Sequence, residues 1–326
     1  MNARNGFPLI ALAVVLTAGA CEIALPETPP APTISFDGAL FPGQTDVSLD
    51  ETFAELAAAD DAADTELLGT RVGGDIPGIR AAEYLVADAG GADPAVISSS
   101  PLAIYATSES DWPRIMVGVM DAAPAQTYSV AVWVQDDVRD PYQLRYWSAM
   151  IPGAVLPAMP AQENGTEMLD LDAEGFVLTP AEAIDQYVAL LNDGSDSEFA
   201  ESWVDDVYRD RMFKARAALA KAAKARNGTY TETIEPRIDE AFVLATAEEG
   251  ALVFVPLDVT SKFTVPGAQL KLPAADKAVL GEKLTDRVVY HYDDYVVIHL
   301  RQADVGFAPE IVAASQHLVD ITKKAS

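Results

Sequence analysis

Two apolar periodicities run along the chain, and each half shows them in the same order. Phe53, Leu56 and the alanines up to Leu68 recur at helical spacing, with Ser48 and Glu51 placed as a capping box at the start. Asp60, Asp61 and Asp64 give this helix an acidic, solvated face. Residues 76–88 fit a helix or a strand equally well. From Pro101 the pattern changes to short β-rich runs at 102–106, 114–120, 128–134 and 144–150. Asp111-Trp112-Pro113, Ala123-Pro124 and Arg139-Asp140-Pro141 punctuate them. The gaps are too short for parallel crossovers, so an antiparallel meander is predicted. The run 128–134 is apolar on both faces and should be a central strand.

The second half opens with Thr179-Pro180-Ala181-Glu182, which combines an N-cap, a proline at the first helical position and a capping-box glutamate. Ile184, Tyr187, Val188 and Leu191 follow at helical spacing, and Asn192-Asp193-Gly194 stops the helix. A further helix is expected over 198–226, ended by Asn227-Gly228. Strand-like runs follow at 241–246, 251–259, 262–265, 287–292 and 295–301, with another within 311–321. The class is therefore α+β, in two domains, each of helices followed by an antiparallel sheet. A curved sheet packed on helices, of the cystatin-like or nuclear-transport-factor-like kind, is the most economical arrangement for both. The expected boundaries are 36–160 for the N-terminal domain, 161–175 for an acidic linker and 176–326 for the C-terminal domain.

The first 35 residues follow a different pattern. Arg4 precedes an apolar run over 7–16, then small residues and Cys21, the chain's one cysteine. Basic start, apolar middle and small-residue end make residues 1–20 a secretory signal. Leu16-Thr17-Ala18-Gly19-Ala20-Cys21 looks like a lipobox, in which Cys21 is acylated after cleavage. Ala18-Gly19-Ala20 is also an A-x-A site for plain secretion, and both readings cut after Ala20. Residues 22–34 hold four prolines, so 21–35 is expected to be a proline-rich tether, reaching roughly 40 Å if extended.

Charge narrows the partners. With 22 basic and 50 acidic residues the net charge is −28, and cleavage after Ala20 would also remove Arg4. Such a field disfavours both nucleic acid and anionic lipid as partners through long-range attraction. One cysteine allows no internal disulfide, so stability must come from packing.

Trp112-Pro113-Arg114-Ile115-Met116-Val117, the stretch 135–150 with Asp140-Pro141-Tyr142, and Leu156-Pro157 are distinctive. With the lipobox-like segment and the two-half layout, they resemble a group of actinobacterial envelope lipoproteins of unknown function. The resemblance covers most of the chain after the signal and implies no catalytic residue.

Candidate chemistry is sparse. His291 and His299 flank Asp293-Asp294, read as the two-residue turn of a hairpin. In that register they lie on opposite faces and cannot share a metal. The same register gathers Tyr290, Tyr292, Tyr295, His299 and Arg301 on one face, where they either pack under a helix or line a pocket. Asp170-Leu171-Asp172-Ala173-Glu174-Gly175 resembles half of an EF-hand loop, but the twelfth position is Ala181, so an acidic linker explains it better. Arg209, Arg211, Lys214, Arg216, Lys221, Lys224 and Arg226 form a local basic stretch that suits a solvated helix, or docking on an acidic partner, the acidic first domain or lipid headgroups, though its alanines argue against membrane insertion. No G-x-S-x-G, S-x-x-K, H-E-x-x-H, phosphate-binding loop or C-x-x-C occurs.

The sequence thus predicts a non-catalytic envelope lipoprotein with no metal and no cofactor. It would be anchored through Cys21 at the outer face of the cytoplasmic membrane, binding or scaffolding an envelope protein. A carrier with a pocket in the C-terminal sheet is the alternative, and a carboxylate-based envelope hydrolase is third.

Overall fold

In the computed structural model, which describes residues 38–323 apart from 109–111, 123–126, 282 and 284, the first half delivers helices before strands, whereas the second sets a short strand before its helices and a helix between its long strands. The signal, Cys21 and the tether lie outside the described residues. Residues 36–326 form one compact unit.

Helix α1 (Pro42–Ala62) begins six residues before Ser48. Pro42 presets the first helical φ, and the Gln44 side chain accepts from the Phe41 N–H at 3.0 Å. Ser48 is therefore inside the helix, where its carbonyl accepts the Thr52 hydroxyl at 2.7 Å. The ambiguous stretch is a helix, α2 (Ile76–Asp88), which buries Ile76, Ile79 and Tyr84. Strands β1 (Pro101–Ala106), β2 (Arg114–Met120), β3 (Ser129–Gln135) and β4 (Gln143–Ala149) then form the expected antiparallel meander in that spatial order. In β3, the central strand, Trp133 is fully buried, edge-on to Phe53 and donating its indole N–H to Thr52 Oγ1 at 3.1 Å.

The second half contains β5 (Met168–Leu169), α3 (Pro180–Asp193), α4 (Val207–Lys224), β6 (Thr229–Pro236), β7 (Phe242–Ala245), β8 (Ala251–Thr264), α5 (Ala274–Leu280), β9 (Arg287–Leu300) and β10 (Glu310–Thr322). Thr179 and Glu182 cap α3 reciprocally, as its sequence predicts. The expected long helix over 198–226 is shorter. Asp206 accepts from the Arg209 N–H at 2.7 Å and starts α4 there, so 198–206 is not α-helical.

The sheet order is β10-β9-β8-β7-β5, with β6 pairing the far half of β8. Two expected breaks are absent. The runs 251–259 and 262–265 are one strand, and the supposed turn at Asp293-Asp294 is the middle of β9. Asp293 and Asp294 pair across the sheet with Asp258 and Leu257, in a register without a bulge over the length of β8 and β9.

Both faces of this sheet are covered, which accounts for the unbroken burial of β8 over 251–257. Phe242, Phe254, Tyr295 and Val297 join the core built by α1, α2 and the four-stranded sheet. Val253, Val255, Val296 and Ile298 face the other way, against Ile184, Tyr187 and Leu191 of α3. The halves expected as separate domains are thus two sheets sharing one core. The Ser148 hydroxyl donates to the Tyr295 carbonyl at 2.7 Å, and the Ile151 N–H to the Val312 carbonyl at 2.9 Å, across the join.

Candidate functional site

The face of the second sheet under α4 changes character along its length. Near the start of α4, Tyr208 and Met212 are buried large side chains and fill the space above the strands. After Phe213 the helix reads Lys-Ala-Arg-Ala-Ala-Leu-Ala-Lys-Ala-Ala-Lys, and alanines are too short to reach the sheet below. A cavity of about 470 Å³ remains.

Its floor comes from alternate residues of neighbouring strands. Tyr230 and Glu232 of β6, Ser261 and Phe263 of β8, Val288, Tyr290 and Tyr292 of β9, and Leu318 of β10 share one side. Leu270 and Leu272 close one end, Ala215 and Leu219 roof it, and Arg226 and Lys271 stand at the exposed margin. The Tyr290 and Tyr292 rings are nearly parallel, with centroids 6.1 Å apart.

Most polar groups in the wall are already engaged. Glu232 Oε1 accepts from Arg216 Nε at 2.9 Å and Nη2 at 2.7 Å, and its Oε2 accepts the Tyr230 hydroxyl at 2.6 Å. The Tyr290 hydroxyl donates to Asp276 Oδ2 at 2.7 Å. Three groups are left: the Tyr292 hydroxyl, Arg226 and Lys271 have no hydrogen-bond or ion-pair partner among the described residues. Burial raises the pKa of Tyr292 and Tyr290, with Asp276 adding to both, so the phenols stay neutral. Deeper in the sheet, Gln316 donates to Asp294 Oδ2 at 3.2 Å, and Tyr208 donates to the same oxygen. Burial pushes Asp294 up to about 8, so this carboxyl is protonated at neutral pH.

The five residues expected to share a face divide into two sets, because β9 runs straight through 293–294 and side chains alternate along it. Tyr290 and Tyr292 line the cavity. Tyr295 lies on the opposite face, stacked on Tyr146 at 4.7 Å and donating to Asp75 Oδ2 at 2.9 Å. His299 Nδ1 is 2.9 Å from Glu310 Oε1, which also accepts from Arg301 Nη2 at 2.7 Å. The same alternation puts His291 and His299 on one face rather than two. Eight residues of strand, about 26 Å, separate them, so distance and not facing keeps them from a common metal.

The acidic stretch gives no assembled ion cage: among the described residues no three His, Cys, Asp or Glu side chains are placed to hold a metal. The basic stretch is partly neutralised, with Arg209 paired to Asp205 and Asp206, Arg216 to Glu232, and Lys214 to Asp210. Sequence reasoning missed β6 and therefore Tyr230 and Glu232. The available signal was the switch from Tyr208, Met212 and Phe213 to alanine along one helix.

A second cleft of about 680 Å³ lies along β10 and shares Asp276, Gln316 and Leu318 with the cavity. Its main aromatic, Trp147, already has His317 at 4.4 Å and the Arg80 guanidinium 5.5 Å from its ring. Burial lowers His317 to about 4, leaving it neutral. That ring system serves packing and leaves no open aromatic face for a ligand.

A family model described as a domain of unknown function, DUF8094, matches residues 57–297. No curated protein and no solved structure matches the chain.

Proposed function

The chain belongs to the DUF8094 family, and from that premise we propose that it is a non-catalytic binding protein of the cell envelope, carrying a small molecule under α4. The observation that carries this reading is the cavity of about 470 Å³, apolar and aromatic at its floor, with the unpartnered Arg226 and Lys271 at its margin. That combination suits a ligand with an apolar body and an anionic group. The volume fits one small molecule, in the lower part of the range common for ligand sites.

Catalysis has little support in the wall. A general base needs a pKa near the working pH and access to substrate. The tyrosines here are shifted up, away from that range, and Glu232 is held by Arg216.

A fitting probe is 1-anilinonaphthalene-8-sulfonate, an apolar ring system with one sulfonate. It should bind one site with a rise in fluorescence. Ala215→Trp adds bulk at an exposed position of the roof and should weaken binding at least tenfold while leaving the urea midpoint almost unchanged. Arg226→Gln with Lys271→Gln should weaken it about fivefold to tenfold, by removing charge–charge contacts near the surface. Equal probe affinity in wild type and Ala215→Trp would remove the cavity from the account.

Localisation belongs to the same proposal. Export directed by residues 1–20, acylation at Cys21 and the proline-rich 21–35 segment would hold the compact unit off the outer face of the cytoplasmic membrane, where it would meet an envelope protein partner. Detergent phase partitioning separates anchoring from plain secretion. Wild type should enter the detergent phase and Cys21→Ser should stay in the aqueous phase; if both are aqueous, the protein is secreted without lipid.

A further inference from the structure

The outward side of α4 differs from the rest of this acidic chain. Lys214, Lys221 and Lys224 are exposed there, with the exposed alanines 217, 218 and 225 between them and the exposed Arg211 at the flank. At 100° per residue, Asp210, Lys214, Ala217 and Lys221 fall opposite the buried Tyr208, Met212 and Ala223, with Lys224 and Ala225 to either side and Arg211 on the flank towards β10. Asp210 is the one acid in the helix, and it pairs with Lys214. Arg211, Lys221 and Lys224 have no ion-pair partner among the described residues, and neither do Arg226 and Lys271 beside them at the cavity margin.

We propose that this face of α4 docks on an anionic phospholipid surface and turns the cavity margin towards the bilayer. Charge complementarity carries the proposal, and residue type selects the partner. Protein–protein interfaces are depleted in lysine and alanine and centre on aromatic or arginine anchors. Lysine and alanine make up most of this face, Arg211 stands at its flank beside β10 rather than at its centre, and no aromatic side chain lies on it. A membrane surface requires only charge, and small side chains between the cations let headgroups approach the helix. The face is not amphipathic in the sense needed for insertion, so contact stays at headgroup depth.

The net charge of −28 does not prevent this. Screening over about 8 Å at physiological salt removes acidic residues on distant faces from the balance, while the cations in contact still count. Attraction is consequently short-ranged. The docking stands whether or not Cys21 is acylated, and whether or not the cavity holds a ligand.

Co-sedimentation of residues 36–326, the compact unit that holds all the described core, with lipid vesicles tests this directly. Vesicles of phosphatidylcholine with phosphatidylglycerol should bind the protein at 50 mM salt, with marked release at 500 mM. Pure phosphatidylcholine vesicles should not bind it. Each cation near the surface is worth roughly fivefold in partitioning, so Lys214→Gln, Lys221→Gln and Lys224→Gln together should lower binding about 100-fold. These three residues do not line the cavity, so affinity for the naphthalene sulfonate probe should be unchanged in the triple variant. Binding indifferent to lipid charge, binding unaffected by the triple substitution, or no binding at 50 mM salt would each overturn the docking. Loss of probe binding in wild type would instead count against the ligand reading alone.

Discussion

Arg237→Ala is expected to lower the unfolding free energy by about 3–5 kcal/mol at pH 7, the range seen when a largely buried charge loses its partner. The Arg237 side chain is 17% exposed, and its guanidinium hydrogen-bonds Asp75 Oδ2 while lying 3.5 Å from both Glu240 and Asp258. Asp293 belongs to the same group, held at about 7 chiefly by burial and by the nearby Asp75. One cation therefore compensates several carboxylates. Without it Asp75 and Asp293 dominate the cost, because Glu240 and Asp258 are more than half exposed and screened by water. Asp75 precedes α2 and Arg237 follows β6, so the contact also fastens the two halves of the unit.

The pH dependence separates this cause from simple loss of packing. Protonation of the surrounding carboxyls relieves their repulsion, so the deficit of the variant should shrink between pH 8 and pH 5. Arg237→Lys keeps the charge but loses the fork that engages several acids at once, and should recover only part of the loss. Urea titrations at the two pH values measure both effects. A deficit below about 1 kcal/mol at pH 7, or one equal at pH 5 and pH 8, contradicts the electrostatic explanation.

The second large effect concerns Asp294, fully buried in mid-strand with Oδ1 lacking a partner among the described residues. Its pKa is about 8, raised from 3.8 mainly by burial and further by Glu232 and Asp293, against the opposing hydrogen bonds from Tyr208 and Gln316. Between these two values the folded protein holds a proton that the unfolded chain has lost. Stability is accordingly highest below the unfolded value and falls as pH rises, by up to about 1.4 kcal/mol per pH unit, until the folded carboxyl ionises near pH 8. Asp294→Asn keeps the oxygen that accepts from Tyr208 and Gln316 and removes the titration. Its stability should gain on that of wild type steadily from pH 5 to pH 8 and run parallel above. Curves parallel throughout would mean that Asp294 is ionised in the folded protein at neutral pH.

Both residues show where sequence reasoning reaches and where it stops. The α3 start was legible because Thr179, Pro180 and Glu182 act within one turn of each other. The four-stranded meander was legible because its punctuation and β-rich runs are local. Asp293-Asp294 looked like a turn for an equally local reason, that two adjacent acids disfavour a strand. What overrides this is distant in sequence: Tyr208 and Gln316 bind Asp294, and Arg237 compensates Asp293. No local pattern carries those contacts. Reading a turn there also placed Tyr295 with Tyr290 and Tyr292, whereas an unbroken strand separates them.

The missed β6 has a related cause. Thr-Tyr-Thr-Glu-Thr-Ile-Glu-Pro alternates, but its inward positions are only half-buried apart from Ile234. Its pairing with β8 makes it a strand, and its inward Tyr230 and Glu232 then become cavity wall. The α+β class and the strand order of the first sheet were within reach of periodicity alone. The sharing of one core by the two halves was not, since Phe254, Tyr295 and Val312 read equally well as parts of a separate C-terminal core.

Occupancy of the cavity under α4 is tested most directly by native mass spectrometry of the protein recovered gently from the envelope. Wild type should carry one retained small molecule, and Ala215→Trp prepared in parallel should carry none. The same adduct on both proteins, or a bare wild-type chain together with no detectable affinity for the naphthalene sulfonate probe, would contradict it.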